Sequence, residues 1–501
     1  MSGNGLEKKS ADNTFYAAFK AKDTRFDGRF FVGVSTTGIY CRPVCRARQP
    51  KMENCTFYPS AAEAEQAGYR PCLLCRPELA PGTSTTDSAS TLARHAARII
   101  EENCGNGLQI NEFAEQLGYT DRHFRRLFTT EFNVSPVQYL QTCRLLLAKN
   151  LLTDTNLPVF DAAIASGFGS LRRFNDLFKK HYNLSPSGLR KKLPEEQKES
   201  GNITLTLTYR PSYRFEEILD FLESRAIAGV ELVKDGNYFR TVDLVDGNHK
   251  QVYGWLKAGH KPEKNALMVT MSESLLPVLP QVLAKLRRLF DLYCDPHAIY
   301  EKLSQMNTIR RGLCVPGTRL PGCFNTFEMA ARAVLGQQIT VKAASTLASR
   351  LVTAFGKEIK TGIPGLTHVF PGPKDILALG KNPENFLGPL GIIAARAKTI
   401  YKLAEGFEQG TINLNLCTRH EEEMNKLLAI PGIGSWTAQY IAMRTMGWPD
   451  AFLETDVGIK KALPLYTSKE LLKIAEAWKP WRSYAVINLW NSLQSKEIKE
   501  R

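Results

Sequence analysis

Apolar positions recur with different periods along this chain of 501 residues. Between residues 91 and 192 they return at helical spacing, with short turns between. In residues 203–250 they alternate instead: ITLTLTY and YFRTVDLV predict strands, with a helix over 215–225 between them. From Phe324 onward long amphipathic helices dominate. Three stretches break the patterns. PGTSTTDSAS (81–90) and KKLPEEQKESGN (191–202) read as linkers. The Gly/Pro-rich RRGLCVPGTRLP (310–321) reads as an interruption within one larger unit.

The helical span 91–192 contains a loose repeat. INEFAEQLGYTDRHFRRLFTTEFNVSPVQYL begins at Ile110 and is echoed by VFDAAIASGFGSLRRFNDLFKKHYNLSPSGL from Val159. Both copies run apolar helix, Gly-aromatic turn, Arg-rich helix and N-[VL]-S-P.

Composition narrows the class. With 43% hydrophobic and 23% charged residues the chain is globular, which excludes wholesale disorder and fibrous repeats. The length predicts three to four domains. The most apolar stretch, 275–292, is broken by prolines, lysine and arginines, and the N-terminal MSGNGLEKKSADNTFY has no apolar core of signal type. A soluble, cytoplasmic protein without a membrane partner is the expectation. The net charge is +15, and both ends share it: residues 1–200 hold 27 basic against 21 acidic residues, leaving 38 against 29 for the rest. A polyanion partner at both ends follows.

The eleven cysteines fall unevenly. Cys41, Cys45, Cys55, Cys72 and Cys75 are clustered, and four of them are spaced Cys41-x3-Cys45-x26-Cys72-x2-Cys75. Two close pairs across a loop can converge on one zinc ion. The spacing leaves two roles open: a zinc that only staples a domain with little core, or a reactive thiolate. The surrounding TTGIYCRPVCRARQP and AGYRPCLLCRPEL resemble, over residues 13–78, the metal-binding domain of Ada-type DNA alkylation-repair proteins. The resemblance implies one Zn2+ held by Cys41, Cys45, Cys72 and Cys75. It also implies irreversible transfer of a methyl group from a DNA methyl phosphotriester to Cys41. Zinc keeps the sulfur a thiolate at neutral pH yet still nucleophilic. Arg42, Arg46 and Arg48 are candidates to hold the flanking phosphates. Methylation removes one formal negative charge from the site, so binding to a polyanion should tighten. The family uses this to turn repair into transcriptional activation.

ASGFGSLRRFNDLFKKHYNLSP resembles the second helix-turn-helix of AraC-type regulators, and the first copy fits more loosely. The resemblance places helices over about 121–131 and 171–181 in the major groove. Arg122, Arg125, Arg126, Arg172, Arg173 and Lys179 are the candidate DNA contacts, though such side chains on a helix face are often only solvated.

In LLAIPGIGSWTAQYIAM, Gly432 and Gly434 permit a tight hairpin between two helices, whose amides can grip a DNA phosphate. The segment resembles the helix-hairpin-helix DNA glycosylases, in which a catalytic aspartate follows; FLETDVGIKKAL places Asp456 there. With LPGCFNTFEMAARAVLGQQITVKAA and KPWRSYAVINLW, the likeness to an AlkA-type 3-methyladenine DNA glycosylase spans residues 203–495. It implies base flipping and a carboxylate beside an oxocarbenium-like sugar. Trp436, Tyr440 and Trp490 match the aromatic positions of the family's pocket, and π-faces suit a cationic base; taken singly, each is equally readable as core. Gln338 falls where the family inserts a side chain into the vacated stack. Asp456 also reads as a helix N-cap. Trp436 stands where strand-cutting relatives carry a lysine, so no lyase step is expected. Lys460 and Lys461 read as DNA-facing or solvated. Val457 stands where the AlkA-type resemblance implies an aromatic, which bears on substrate breadth. No P-C-H-R motif occurs, so no guanine-O6 methyltransferase domain is expected.

Together these resemblances imply a multidomain, mainly α chain with α+β parts: a zinc-binding methyl-acceptor domain (1–80), a double helix-turn-helix domain (88–192), an α+β domain (203–288) and an all-α helix-hairpin-helix glycosylase domain (289–495). Double-stranded DNA carrying alkylated bases and methyl phosphotriesters, promoter DNA and RNA polymerase are the implied partners. The implied location is bacterial cytoplasm, associated with the nucleoid through DNA. The competing reading is a regulator whose glycosylase half is inactive and only senses damage.

Overall fold

The computed structural model describes residues 3–82, 91–105, 110–111, 114, 120–190, 201–414 and 420–497. Most of both expected linkers, and most of the first helix of the first repeat, lie outside the described residues.

The first unit is a four-stranded sheet in the order Cys55–Tyr58, Phe31–Val34, Ile39–Cys41, Arg70–Pro71. Its core is slight: Phe15, Phe30 and Phe57 form an aromatic knot beneath the sheet. The parallel pairing sets Tyr40 opposite Pro71, so the next residues on each strand, Cys41 and Cys72, emerge side by side. Register thus brings the two halves of the cysteine motif together.

In the second unit the repeat acquires a physical meaning. The helices Asp121–Phe132 and Leu171–Tyr182 bury matching stripes, Phe124, Phe128, Phe132 and Phe174, Phe178, Tyr182. Each ends on an asparagine in left-handed conformation, Asn133 (φ 55°) and Asn183 (φ 53°). The N-[VL]-S-P signature is therefore a stop and restart: Asn closes one helix, and after Ser135 and Ser185 a proline opens the next. The 19-residue helix Pro136–Asp154 joins the two copies, and a capping box between Ser135 and Gln138 fixes its start.

The third unit is a five-stranded antiparallel sheet in the order Asn202–Thr208, Ala266–Ser272, Gln251–Lys261, Asn237–Val245, Glu231–Lys234. Alternation in the first strand is clean, with Ile203, Leu205 and Leu207 buried. The strands at 251–261 and 266–272, like the short one at 231–234, go beyond the two segments read from the alternation. Gly254 and Gly259 weaken the strand signal in the former. They are there because a Cβ would meet Leu275 Cγ at 2.6 Å and Asn237 Oδ1 at 2.2 Å.

Helices make up the remainder, with a hairpin between His420–Leu428 and Ser435–Thr445. A buried charge network locks sheet to helices: Arg240 donates to Glu328 at 2.8 Å, and Arg332 donates to Glu231 at 2.9 Å and to Glu328 at 3.0 Å. Each arginine thus finds a carboxylate inside, which is what such burial requires.

Polar contacts also join the units. Lys149 meets Glu78 at 2.5 Å with both side chains buried, and Arg76, next to Cys75, reaches Asp154 at 2.6 Å. Arg210 of the third unit donates to the carbonyls of Asp27 and Gly82, each at 3.1 Å, and Arg29 pairs with Asp295. No helix among the described residues is long and apolar enough to cross a membrane.

Candidate functional site

Cys41, Cys45, Cys72 and Cys75 place their sulfurs within 4.8 Å of one another. Sulfurs of a tetrahedral zinc site with bonds of about 2.3 Å lie roughly 3.8 Å apart, so the four residues fit the ion. The donor set also demands a cation. Four thiolates this close repel one another unless a cation sits between them. The four cysteines form a Zn2+ site. Its inner lining is built from backbone: the Arg42 amide donates to Cys75 Sγ at 3.3 Å and the Ala47 amide to Cys45 Sγ at 3.5 Å. Cys55 belongs to a strand instead and donates to the Lys51 carbonyl at 3.3 Å.

The three arginines beside the centre divide. Arg46 and Arg48 are exposed. Arg42 corrects the expectation of a phosphate contact: it is buried, its Nε donates to Asp27 Oδ1 at 2.9 Å and its Nη1 to the Cys75 carbonyl at 3.1 Å. It braces the ligand loop from beneath, with Nε and Nη1 committed there.

On the Arg-rich helices, Arg122, Arg126, Arg172, Arg173 and Lys179 are exposed. Arg125 is half-buried and pairs with Asp121 at 2.7 Å. Thr120 and Ser170 cap the two helices through the His123 and Arg173 amides.

The second centre lies around Asp456, which caps the helix Val457–Ala462 by accepting from the Ile459 amide at 3.0 Å. Two indoles converge on the same carboxylate. Trp490 donates to Oδ1 at 2.9 Å and Trp436 to Oδ2 at 3.1 Å. Oδ1 accepts twice and Oδ2 once, so Oδ2 keeps a lone pair for another group. Trp436 stacks on Tyr440 at 5.2 Å, and Trp490 stands edge-on to Tyr440 and flat against Phe221, each at 6.3 Å. The pattern thus brings Asp456, Trp436, Tyr440 and Trp490 together.

Sequence reasoning missed four neighbours. At Gly458 a Cβ would sit 2.8 Å from Trp490 Cδ1 and 3.0 Å from Asp456 Oδ1, so only glycine lets the indole reach the carboxylate. Arg444, one turn beyond Tyr440, donates to its hydroxyl at 2.9 Å. Phe221 and Arg225, stacked at 3.8 Å, come from the α+β unit and carry no local signal. Burial alone would push the Tyr440 phenol up; Arg444, Arg225 and Arg332 outweigh it and hold the phenol below its ordinary value.

The hairpin is as tight as its glycines imply. Gly432 has φ 92°, and a Cβ there would meet Thr399 Oγ1 at 2.2 Å. Gly434 is exposed with open space around it and caps Ser435–Thr445. The two adjacent glutamines differ. Gln337 props the hairpin by donating to the Gly432 carbonyl at 2.8 Å, while Gln338 is exposed at φ 55° beside exposed Ile339. Lys460, Lys461 and Val457 are exposed.

A four-thiol centre, paired helix-turn-helix units and a carboxylate pocket behind a helical hairpin define a fused Ada- and AlkA-type architecture. Family profiles divide the chain the same way: "Metal binding domain of Ada" over 14–78, "Helix-turn-helix domain" over 113–192 and "AlkA N-terminal domain" over 204–325. A "Probable bifunctional transcriptional activator/DNA repair enzyme AlkA" of Mycobacterium tuberculosis is 36% identical over 488 residues, covering 96% of this chain and 96% of the relative. "DNA-3-methyladenine glycosylase 2" of Escherichia coli is 35% identical over 285 residues, 57% of this chain and 96% of its own. The Escherichia coli "Bifunctional transcriptional activator/DNA repair enzyme Ada" is 36% identical over 133 residues, 26% of this chain and 36% of its own. The chain belongs to the family of bifunctional Ada/AlkA-type activator and repair proteins.

Proposed function

We propose that the protein repairs alkylated DNA in two ways and reports the damage through transcription. Its C-terminal half is a monofunctional glycosylase for alkylated purines of the 3-methyladenine and 7-methylguanine type. Its first unit accepts methyl groups from DNA phosphotriesters, and its helix-turn-helix pair activates transcription.

The observation that carries the reading is the Asp456 carboxylate, held by two indole N–H groups and one helix amide beside an aromatic stack. An N3- or N7-alkylated purine is already cationic, so the glycosidic electron pair leaves with the base without prior protonation. Positive charge then builds on the sugar, and Oδ2 of Asp456 supplies the compensating charge. Water completes the hydrolysis. Trp436, Tyr440 and Trp490 hold the flipped base. Hairpin amides at Gly432 and Gly434 hold the backbone, and Gln338 enters the gap. With tryptophan at 436, there is no amine for a strand-cutting step.

At the other centre Cys41, Cys45, Cys72 and Cys75 would hold Zn2+, which would keep their sulfurs as thiolates. Cys41 sulfur attacks the phosphotriester methyl carbon; the S–CH3 bond forms as the O–CH3 bond breaks, and the phosphodiester anion leaves. Arg46 and Arg48 face the flanking phosphates. Arg122, Arg126, Arg172, Arg173 and Lys179 contact promoter DNA, and activation requires RNA polymerase as partner. Base release from methylated duplex tests the enzymatic half. Release by wild type is expected, and no release would leave the C-terminal half as a damage-sensing regulator.

A further inference from the structure

The zinc unit touches both Arg-rich helices of the regulatory unit. Its helix Ala61–Gln66 lies against the linking helix Pro136–Asp154 and carries two carboxylates on which the contact turns. Glu63 accepts from Asn133 Nδ2 at 3.2 Å, and Asn133 is the residue that closes the first Arg-rich helix. Glu65 is buried; it accepts from the Thr142 hydroxyl of the linking helix at 3.1 Å. It also faces Nδ1 of His181, in the last turn of the second Arg-rich helix, at 3.5 Å. Gln141 holds the other nitrogen of that imidazole at 3.1 Å. Ala62, on the same short helix, joins the apolar cluster of Phe124, Phe128 and Phe132. One helix of the zinc unit thus bridges the C-terminal ends of both Arg-rich helices.

These contacts run back to the metal centre. Glu65 accepts from the hydroxyl of Tyr40, the residue before Cys41, at 3.0 Å. Arg76, the residue after Cys75, donates to Asn150 Oδ1 at 2.9 Å as well as to Asp154, and Glu78 takes Lys149. Tyr40 and Arg76 therefore flank ligands from opposite halves of the cysteine motif. A unit with so slight a core needs its metal to hold those halves in register. Two helices that enter successive major grooves must in turn be spaced to match one turn of the duplex, about 34 Å.

We infer that the zinc unit is a clamp on the two Arg-rich helices, so that zinc loading, before any methyl group is transferred, sets the spacing at which the pair meets DNA. The inference rests on the reading of those helices as the DNA reader and adds to it a dependence on the metal.

Pulsed dipolar spin-label distances in the full-length protein test it. Labels go on exposed Thr129 and Lys180 through noncanonical residues, so that every native thiol stays unmodified. Zinc-loaded wild type should give one narrow distance distribution. Stripping the zinc with a chelator should broaden it about twofold or more, and zinc added back should restore it. Thr142→Val combined with Lys149→Met undocks the zinc unit from the regulatory side without touching a ligand. That variant should keep its zinc and helix content, show the broad distribution, and bind an undamaged duplex about tenfold more weakly. Arg172→Ala combined with Arg173→Ala should weaken duplex binding by a comparable factor and leave the distance unchanged. A distribution that stays narrow without zinc, or in the undocked variant, would overturn the clamp. Duplex binding untouched by the arginine pair would instead overturn the reading of these helices as the DNA reader.

Discussion

The zinc centre and the Asp456 pocket hold an anionic atom ready by opposite means. At the first, four sulfurs crowd one point, Cys41 is only 6% exposed, and a bound Zn2+ would balance the charge. At the second, no cation among the described residues pairs with the carboxylate; neutral indole and amide N–H groups orient it, and Oδ2 retains a lone pair. The difference matches what each chemistry asks. On the proposed function, a thiolate that reacts once needs to be stored, whereas a carboxylate that turns over must face each new sugar and be left unchanged.

The largest expected effect separates the two centres outright. Cys72→Ser should abolish zinc binding and unfold the first unit, since structural zinc contributes on the order of 10 kcal/mol. Metal analysis and circular dichroism check this, and base release should stay within about twofold of wild type. A parallel loss of base release would show that the centres are not independent. Arg42 and Arg48 offer a finer contrast. Arg42→Ala strands buried Asp27 and should cost about 3 kcal/mol of stability in denaturant melts. Arg48→Ala should leave stability unchanged and lower the salt slope of DNA binding by about 1.

Within the carboxylate pocket, Gly458→Ala should push Trp490 off Asp456 and reduce base release about 100-fold with zinc content intact. Trp490→Phe keeps the ring but removes the donor to Oδ1. It should lower kcat about tenfold and move KM little, as single-turnover assays would reveal. An unchanged kcat would mean the indole serves only as a wall.

Local patterns made much of this legible in advance. The cysteine spacing works because one strand register, Tyr40 opposite Pro71, carries both pairs to one point. The repeat was visible because an Asn stop and a Ser-Pro start are local chemistry. Asp456 was legible through the resemblance of its segment to the helix-hairpin-helix glycosylases, and its capping of the next helix is local chemistry as well. What stayed hidden depends on distant contacts. Arg42 beside the cysteines looks DNA-facing until Asp27, fifteen positions earlier, is found beneath it. Phe221 and Arg225 reach the pocket from another unit, and no periodicity encodes that. Gly458 reads as an ordinary helix residue until Trp490 is seen against its Cα. Gly254 and Gly259 hid a strand for the same reason: they make room for side chains far along the chain.

The central claim is that the charge of Asp456, and not its capping of a helix, removes the base. Asn caps a helix as well as Asp does but carries no charge. Base release from methylated duplex should be compared for wild type, Asp456→Asn and Cys41→Ser, with thermal midpoints measured alongside. The account predicts wild-type release for Cys41→Ser, and a loss of about 1,000-fold for Asp456→Asn at an unchanged midpoint. Release retained by Asp456→Asn would contradict it.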